Sequence, residues 1–195
     1  IEEIDISDLL GRDMVPPDEE LLRLSIEGKS VLVTGAGGTI GSELCRKILQ
    51  ADPRRLVLYD NSEFSLYSLE QELLESGIET ELVFLLGSVL NKVHLAKVMD
   101  DFSVQTVYHA AAYKHVPMVE RNIIEAVRNN VLGTWYVAQA VRASHAERLV
   151  LISTDKAVRA SSVMGASKRL AELIIQAFAT LGTDTRYCMV RFGNV

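Results

Sequence analysis

The sequence predicts an α/β fold built on a doubly wound parallel sheet with helices on both faces. Short apolar runs, such as "VLV" at residues 31–33 and "LVLI" at residues 149–152, alternate along the chain with longer segments of helical periodicity. These runs are continuously apolar, as expected of strands that are covered on both faces. Their spacing suits right-handed crossovers between parallel strands. A glycine cluster directly after the first run agrees, because such loops join a strand to a helix in these sheets.

The predicted elements follow the chain in strict alternation. Strands are predicted at residues 30–34, 55–59, 81–86, 106–109, 148–153 and 186–191. Helices are predicted at residues 39–50, 63–76, 92–101, 117–144 (as one helix or a broken one) and 163–181.

Residues 1–28 precede this pattern as a leader, and residues 29–195 form the domain. Two prolines break the leader, and Asp18 can cap a short helix that runs to Ile26. Its leucines indicate packing, so we interpret it as a strap over the domain surface, with an inter-subunit or juxtamembrane role as the alternative. Because the chain begins with isoleucine and stops where a loop leaves the last strand, we expect a fragment whose substrate-binding part follows Val195.

The composition predicts a globular chain without general affinity for nucleic acid. Its 195 residues are 48% hydrophobic with four prolines, which argues against disorder. The net charge of −6 argues against nucleic-acid binding, although a single nucleotide can still be held by a loop and a helix N-terminus. Cys45 and Cys188 lie far apart and no Cys/His cluster has ligand spacing, so we expect reduced thiols and no metal. The apolar runs are too short to cross a membrane, which predicts a soluble, cytoplasmic domain.

Gly35, Gly38 and Gly41 stand between an apolar strand and an amphipathic helix, the context in which a glycine triplet is typical of dinucleotide binding. Gly35 would permit a tight turn, Gly38 the approach of a pyrophosphate, and Gly41 the packing of the helix against the sheet. The helix N-terminus would offer free N–H groups to the phosphates. Asp60 ends the next strand, about twenty residues further on, where an acid accepts hydrogen bonds from a ribose and repels a 2′-phosphate. The pattern predicts a Rossmann-like site for NAD.

Five further segments carry a resemblance: "DNSEFSLYSLEQEL" (60–73), "HAAAYKHVPMVE" (109–120), "NNVLGT" (129–134), "ISTDKAV" (152–158) and "MGASKR" (164–169). On them the chain resembles the extended short-chain dehydrogenase/reductase superfamily and, within it, the bacterial polysaccharide-biosynthesis UDP-N-acetylglucosamine 4,6-dehydratases. "DISDLLGRD" at residues 5–13 and Met164 resemble the long, membrane-anchored members, whereas the short soluble ones keep tyrosine at that position. This implies a full-length protein at the cytoplasmic face of the inner membrane that serves surface-polysaccharide, O-antigen or other glycan synthesis.

The resemblance implies NAD as the cofactor and assigns residues to it. They are Gly35, Gly38, Thr39, Ile40 and Gly41 at the pyrophosphate, Asp60 with Asn61 at the adenosine ribose, Ser88 and Val89 at the adenine, Ala110, Ala111 and Ala112 along the cofactor, and Lys168 at the nicotinamide ribose. Many relatives have aspartate where this chain has Ser88, so that residue departs from the pattern.

The implied reaction removes water from a UDP-sugar and leaves a 4-keto-6-deoxy product. Hydride leaves sugar C4 for NAD⁺, a base takes the C5 proton while an acid helps the C6 hydroxyl leave, and hydride returns to C6. The first step needs an acceptor for the C4 hydroxyl proton, ordinarily a tyrosine. Met164 stands there instead, and its thioether is at best a weak acceptor. Either a water or a hydroxyl such as that of Thr154 relays the proton, or the site is inactive.

Asp155 and Lys156 follow a predicted strand end, at the sheet edge where ligands bind. The resemblance implies Asp155 as the acid at the C6 hydroxyl and Lys156 as the base at C5, which requires a lowered lysine pKa. An adjacent Asp-Lys pair without this context is more often a surface turn. Lys114 and His115, after the fourth strand, are expected to contact the substrate or, alternatively, a second subunit, and Asn194, after the last strand, is expected to contact the substrate.

Four other polar residues flank this region. His109 closes an apolar strand and is interpreted as a buried histidine with satisfied hydrogen bonds, and Asn130 as a residue that stabilises a bend. The resemblance implies that Ser153 or Thr154 faces the sugar near the nicotinamide and that Arg191 lies where the UDP-sugar pocket begins.

Two other functions stay open at this point. One is a nucleotide-sugar epimerase of the same superfamily, and the other is a non-catalytic NAD-binding regulatory module. Simple C4 epimerisation has no need of the pair Asp155–Lys156, and loss of activity would not be expected to spare that pair together with Lys168. The resemblance also implies a homo-oligomer that associates through the fourth and fifth predicted helices.

Overall fold

The computed structural model describes residues 19–75, 77 and 79–193. Within them six parallel strands form one sheet in the spatial order 3-2-1-4-5-6. The strands are β1 (Ser30–Thr34), β2 (Arg55–Asp60), β3 (Glu81–Leu86), β4 (Thr106–His109), β5 (Arg148–Thr154) and β6 (Arg186–Phe192). Each agrees with its predicted range to within one residue, and the doubly wound parallel sheet is confirmed.

Eight α-helices occur in the described ranges. They are α1 (Glu19–Ile26), α2 (Thr39–Leu49), α3 (Glu63–Glu75), α4 (Lys92–Asp101), α5 (Val116–Arg121), α6 (Ile123–Val127), α7 (Gly133–Ala143) and α8 (Val163–Ala179). None of the helices described is long and apolar enough to span a membrane.

Helices cover both faces of the sheet, which explains the unbroken apolar runs. In β1, Val31 and Val33 point to the face covered by α2 and α3, whereas Leu32 points to the face covered by α4, α7 and α8. All three side chains are fully buried, so both faces of the sheet are closed to solvent at β1. Alternation of side chains along a strand therefore requires an apolar residue at every position of a central strand.

The segment before β1 packs at the amino ends of the strands. The Arg148 guanidinium donates to the carbonyl of Leu24 (2.5 Å) and the Thr106 hydroxyl to that of Ser25 (2.8 Å). Ile26 is buried in the core beside α2 and α3. Residues 19–26 therefore pack on the domain, and the strap over its surface stays a prediction for the leader as a whole. Residues 1–18, with the Asp18 cap and the motif at 5–13, lie outside the described residues.

The segment predicted as a helix at 117–144 is broken. It comprises α5, α6, a π-helical turn (Arg128–Leu132) and α7. Asn129 and Asn130 are both buried in that turn. The wider turn lets the Asn130 amide bond residues outside the helix, and π-helical turns are frequent where a helix borders a functional site.

The chain reverses direction across the sheet between β1 and β4. It runs outward from β1 to β3 and then crosses back to place β4 on the other side of β1. The loops that leave the carboxyl ends of β1 and β4 diverge at such a point and leave a crevice between them. The site is expected at this edge.

Candidate active site

Two neighbouring cavities open at the carboxyl edge of the sheet, of about 860 Å³ and about 200 Å³. Both are lined by the loop after β1 (Gly35 and Gly38) and the loop after β4 (Ala110, Ala112 and Tyr113). An elongated ligand can therefore lie across the crevice with one end in each cavity.

Gly35 and Gly41 shape the glycine loop itself. Gly35 has a φ of +71°, and a Cβ there would lie 2.5 Å from the Ala111 nitrogen. A Cβ on Gly41 would lie 1.9 Å from the carbonyl oxygen of Gly35. The helix therefore packs tightly on the loop, whereas the sequence predicted that Gly41 would allow packing on the sheet.

Gly38 leaves space for a ligand. Its φ of −74° suits any residue, and the protein atom nearest to a Cβ there would be the Gly35 oxygen, at 3.4 Å. Gly38 lines both cavities and is the N-cap of α2, whose first-turn N–H groups have no acceptors within the helix. Thr39, Ile40 and Gly41 continue this wall into the larger cavity. The arrangement fits a pyrophosphate on a helix N-terminus.

Asp60 is held rigidly at the end of β2. Its carboxylate accepts hydrogen bonds from the backbone N–H groups of Gly37 (2.9 Å) and Ser62 (2.8 Å), one on each oxygen. Each oxygen keeps a lone pair for another donor. Asp60 and Asn61 line the smaller cavity, so the carboxylate is placed to accept from ribose hydroxyls.

The adenine end of the predicted site is only partly as expected. Val89 and Ala111 line the smaller cavity, but Ser88 lines neither cavity. The Ser88 hydroxyl accepts from the Leu90 N–H (3.2 Å) and its carbonyl accepts from the Tyr59 hydroxyl (2.9 Å), so Ser88 shapes the turn. Gly87, which the sequence reasoning missed, lines this cavity, and a Cβ there would lie 2.4 Å from the Tyr59 oxygen. A glycine directly after a predicted strand was the available signal.

Lys168 projects from α8 into the larger cavity. The side chain is buried, and its ammonium donates to the Ile152 carbonyl (2.6 Å). Burial lowers the pKa of Lys168 from 10.5 to about 8, while the negative charge of Glu172 opposes this shift. The amine is thus cationic at neutral pH but closer to deprotonation than an exposed lysine.

Met164 lies one helical turn before Lys168 and lines the same cavity. It is buried in a small apolar cluster with Val119 and Ala126. The start of α8 is fixed by Ser162, whose hydroxyl accepts from the Gly165 N–H (3.1 Å). The position expected for a tyrosine therefore carries no proton acceptor.

Thr154 and the 3₁₀ turn that follows it (Asp155–Ala157) form the rim of the larger cavity. The Thr154 hydroxyl donates to the Asp155 carboxylate (3.0 Å) and accepts from the Lys156 N–H (3.3 Å). The Lys156 ammonium lies 3.7 Å from the same carboxylate oxygen. Thr154 and Lys156 line the cavity, whereas Asp155 is exposed and lies outside its lining.

His109 is the satisfied core histidine that the sequence predicted. Thr134 donates to the Asn130 carbonyl (2.7 Å), so its oxygen accepts from the His109 Nε2–H (3.0 Å), and Nδ1 accepts from the Thr34 hydroxyl (2.7 Å). Burial, with the nearby Lys168 charge, lowers the pKa of His109 to about 3. The ring is neutral and structural.

Asn130 supports the bend beside the site, as predicted. Its amide accepts from the Tyr113 N–H (2.8 Å) and donates to the Tyr113 carbonyl (3.0 Å) and to the Ser167 hydroxyl (3.0 Å). The π-helical turn is thereby tied to the loop after β4 and to α8.

A buried acidic centre was missed by the sequence reasoning. The Glu172 carboxylate accepts from Ser153, Arg169 and Arg191, and the first cause of its lowered pKa, about 2, is Arg191. The Ser153 hydroxyl and the Arg191 guanidinium both bond Glu172, and Ser153 also lines the larger cavity, as does Thr154. A glutamate inside an apolar helix, one turn after Lys168, was the only local signal.

The predicted substrate contacts are only partly described. Lys114 and His115 line the larger cavity and are exposed, and Asn194 lies outside the described residues. Tyr113 and Glu125, which the sequence reasoning did not single out, line the same cavity. In the described part of the chain no group of three or more His, Cys, Asp or Glu side chains could hold a metal ion.

Comparison with known proteins agrees with this architecture. Residues 31–195 match the family model described as polysaccharide biosynthesis protein. The chain is 46% identical over its whole length to the capsular polysaccharide biosynthesis protein CapD of Staphylococcus aureus, of which it covers 33%.

More distant relatives are nucleotide-sugar enzymes of two kinds. The chain is 32% identical to a UDP-glucose 4-epimerase of Rickettsia canadensis and 29% identical to a UDP-N-acetylglucosamine 4,6-dehydratase (inverting) of Campylobacter jejuni. The alignments cover 86% of this chain and 49% of each relative. The chain thus spans a third to a half of the length of these relatives.

Solved structures share the fold. Pen from Bacillus thuringiensis is 31% identical with a TM-score of 0.81, over 87% of this chain and 51% of that one. MoeE5, in complex with UDP-glucose and NAD, is 26% identical with a TM-score of 0.70, over 84% of this chain and 54% of that one.

Proposed function

This chain belongs to the polysaccharide biosynthesis protein family, and from that membership and its site we propose that it is the NAD-binding, catalytic part of a nucleotide-sugar 4,6-dehydratase. The proposed substrate is UDP-N-acetylglucosamine, and the product a UDP-4-keto-6-deoxy sugar. The observation that carries the proposal is the Thr154–Asp155–Lys156 turn at the rim of a cavity that continues into the glycine loop.

NAD is the proposed cofactor, and it would supply the acceptor and later the donor of a hydride. The glycine loop and the N-terminus of α2 would hold its pyrophosphate, and Asp60 the adenosine ribose. MoeE5, whose solved structure contains NAD and UDP-glucose, supports this assignment through its shared fold. Lys168 would hold the nicotinamide ribose in the larger cavity.

The proton from the C4 hydroxyl would pass along the rim. Thr154 can accept it at Oγ1 while its own hydroxyl proton moves to the Asp155 carboxylate, along the existing 3.0 Å hydrogen bond. Atoms and charge balance, because one proton enters the threonine oxygen as another leaves it. In this scheme no other residue of α8 has to supply the proton acceptor that is missing at Met164.

This relay also prepares the elimination of water. Asp155, protonated in this way, and Lys156, whose side-chain nitrogen lies 3.7 Å from the Asp155 carboxylate, would then act as acid and base. Lys156 would take the C5 proton and return it to C5 when hydride adds to C6, and Asp155 would give its proton to the departing C6 hydroxyl, which leaves as water. Two adjacent residues would thus serve as the acid and the base.

The experiment is mass spectrometry of UDP-N-acetylglucosamine incubated with NAD and the protein, including whatever residues follow Val195. Loss of one water from the sugar nucleotide, abolished by Lys156→Ala with bound NAD retained, is the expected result. An unchanged mass with NAD still bound would contradict dehydration of this sugar.

The second candidate is a nucleotide-sugar 4-epimerase, which the 32% identity to UDP-glucose 4-epimerase favours. It would leave the mass unchanged and invert C4, which proton NMR of the recovered sugar detects. An intact sugar with unaltered C4 and bound NAD would favour a regulatory module instead.

We further propose that residues 29–195 are the cofactor-binding domain of a longer protein that acts on the cytoplasmic side of a membrane. The 46% identity to a relative about three times as long supports a longer protein. The location follows from the proposed substrate, since nucleotide sugars are made in the cytoplasm.

A further inference from the structure

The Glu172 carboxylate is buried more completely than a stabilising ion pair requires. Its side chain has 0% exposure, and its two oxygens accept four hydrogen bonds from three elements. Arg191 on β6 binds both oxygens (2.7 and 2.8 Å), Ser153 on β5 binds one (2.8 Å), and Arg169 on α8 binds the other (2.9 Å). Every donor is a hydroxyl or a guanidinium, so the charge is fully compensated.

The groups tied together lie at or next to the lining of the larger cavity, of which Ser153 is a part. Ser153 and Arg191 are register partners on β5 and β6. Ser153 immediately precedes Thr154, and Arg191 immediately precedes Phe192, another residue of the larger cavity. Glu172 is itself one helical turn after Lys168. The Glu172 carboxylate therefore joins β5, β6 and α8, three elements that contribute residues to the larger cavity.

A stabilising role alone would not select this arrangement. Buried ion pairs are often replaceable by apolar residues of similar size without loss of stability. The described residues include only one other buried carboxylate, Asp60, which also borders a cavity. The buried charge is thus concentrated at the ligand site.

We propose that Glu172 is a positioning residue, which holds the Thr154–Lys156 turn in register with Lys168 and keeps a negative charge within reach of the Lys168 ammonium. The role of Glu172 in turnover rests on the proposed function. Its effects on the pKa of Lys168 and on the conformation of the Thr154–Lys156 turn do not.

Other charges near Lys168 do not substitute for Glu172. Arg169 on the same helix and Arg191 on β6 are cations that pair with Glu172, and His109 on β4 is neutral. Asp155 and Lys156 in the 3₁₀ turn form an exposed pair of opposite charges. The charged residues of α5, α6, the π-helical turn and α7 are all exposed: Glu120, Arg121, Glu125, Arg128 and Arg142. The Glu172 charge raises the pKa of Lys168 against the effect of burial.

The test compares Glu172→Gln with Glu72→Gln, which removes an arginine-paired glutamate between α2 and α3. In protein labelled with ¹³C at the lysine ε-carbon, with Lys168→Arg to assign the signal, the Lys168 pKa is read by NMR without sugar or NAD. Glu172→Gln is expected to lower that pKa by about one unit and to shift the amide signals of Thr154, Asp155 and Lys156. Glu72→Gln is expected to change neither.

Glu172→Gln removes the carboxylate that Arg169 and Arg191 share and so risks unfolding the protein. A second variant tests the proposal without leaving both cations unpaired. The double change Glu172→Leu with Arg191→Leu replaces the pair with apolar groups and leaves the half-exposed Arg169 to water. A folded double variant, judged by circular dichroism, is expected to show a smaller fall in the Lys168 pKa, because the Arg191 cation is removed with the carboxylate, together with shifts of the same amide signals. A Lys168 titration and turn amides identical to those of the unmodified protein would overturn the proposal.

If the unmodified protein catalyses dehydration, kcat and KM of the variants provide a further test. Loss of positioning is expected to lower kcat by about tenfold with little change in KM. Absence of activity in the unmodified protein would refute the proposed function, while leaving the NMR result to decide the role of Glu172.

Discussion

Single glycines of the same loop have different physical roles. Gly41 is required by the protein, because a methyl group there would overlap the Gly35 carbonyl, whereas the space at Gly38 is open to the cavities. Spacing predicted these separate roles, a pyrophosphate contact at Gly38 and helix packing at Gly41, but placed that packing on the sheet. That the helix packs on the loop itself depends on distances across the loop.

Gly41→Ala is therefore expected to destabilise the fold and Gly38→Ala to weaken NAD binding. We expect Gly41→Ala to lower the free energy of unfolding by about 3 kcal/mol through overpacking. Gly38→Ala should leave that free energy within about 0.5 kcal/mol, and weaken NAD binding at least about tenfold. Urea titration and calorimetric NAD titration measure the two quantities. Equal stabilities for the two variants would contradict the assignment.

The Thr154 hydroxyl is expected to be necessary for turnover. Thr154→Val removes the acceptor and the hydrogen bond to Asp155, so we expect dehydration to fall at least about a hundredfold. Thr154→Ser keeps a hydroxyl and should retain activity within about tenfold. The rates are measured by loss of water from the sugar nucleotide with bound NAD quantified in parallel. Full activity in Thr154→Val would contradict a role for the Thr154 hydroxyl and would favour a water molecule as the proton relay.

At the residue scale, the sequence located residues of the cavity lining where the signal is local. The glycine loop and Asp60 follow from spacing along one strand–turn–helix unit. Glu172 and Arg191 are nineteen residues apart and meet only because β6 lies next to β5 and α8 packs on both. Ser88 lines neither cavity because its side chain bonds its own turn, and its adenine contact stays a prediction.

At the scale of elements, the broken helix before β5 determines the shape of the site. Apolar periodicity predicted either one helix or a broken one at residues 117–144 and could not place a break, because the π-helical turn contains no proline or glycine before Gly133. The break depends on the Asn130 amide, which bonds the loop after β4. A contact between segments thus overrides the local pattern.

Asn130→Ala is expected to lower the free energy of unfolding by about 2 kcal/mol, because it leaves polar groups of Tyr113 and Ser167 without partners. Asn122→Ala, which removes an exposed hydrogen bond to the Met118 carbonyl, should cost less than about 1 kcal/mol. Urea denaturation followed by circular dichroism gives both values. A smaller loss for Asn130→Ala than for the control would contradict this account.

The outer faces of α7 and α8 carry exposed apolar side chains, among them Trp135, Leu170 and Leu173. These helices correspond to the predicted oligomer surface, and we propose that two copies associate there. Leu170→Glu with Leu173→Glu is expected to convert a dimer to a monomer by light scattering, whereas Leu74→Glu on α3 should not. A monomer before any substitution would refute the proposal.

At the scale of the whole molecule, pH acts on stability through the buried His109. Its folded pKa of about 3 lies below the ordinary value of 6.5, so between these values the unfolded chain binds the additional proton. The stabilising contribution is complete above pH 6.5 and is lost as the pH falls toward 3. Glu172, with a pKa lowered from 4.5 to about 2, adds a similar loss only at more acidic pH.

Between about pH 6.5 and 5, the free energy of unfolding is therefore expected to fall by up to about 1.4 kcal/mol per pH unit through His109. Urea titrations at several pH values measure this slope. His109→Gln, which keeps hydrogen-bonding atoms without titrating, should flatten it. The same slope in the variant would assign the effect to other groups.

The doubly wound parallel sheet was predictable for the molecule as a whole because its central strands contain apolar runs that are buried on both faces, whereas the edge strands β3 and β6 are partly exposed. Residues beyond position 193 are not described, so the predicted role of Asn194 stays a prediction.

The chain reverses direction across the sheet between β1 and β4, and different parts of the site come from before and after this reversal. The loops that fit NAD come from residues 35–112, whereas Lys168, Met164 and the Thr154 turn follow residue 150. Substitutions in the later half can therefore change which bond is broken without rebuilding the nucleotide cradle. Relatives named for epimerisation and for dehydration each align with 86% of this chain, as such a division allows.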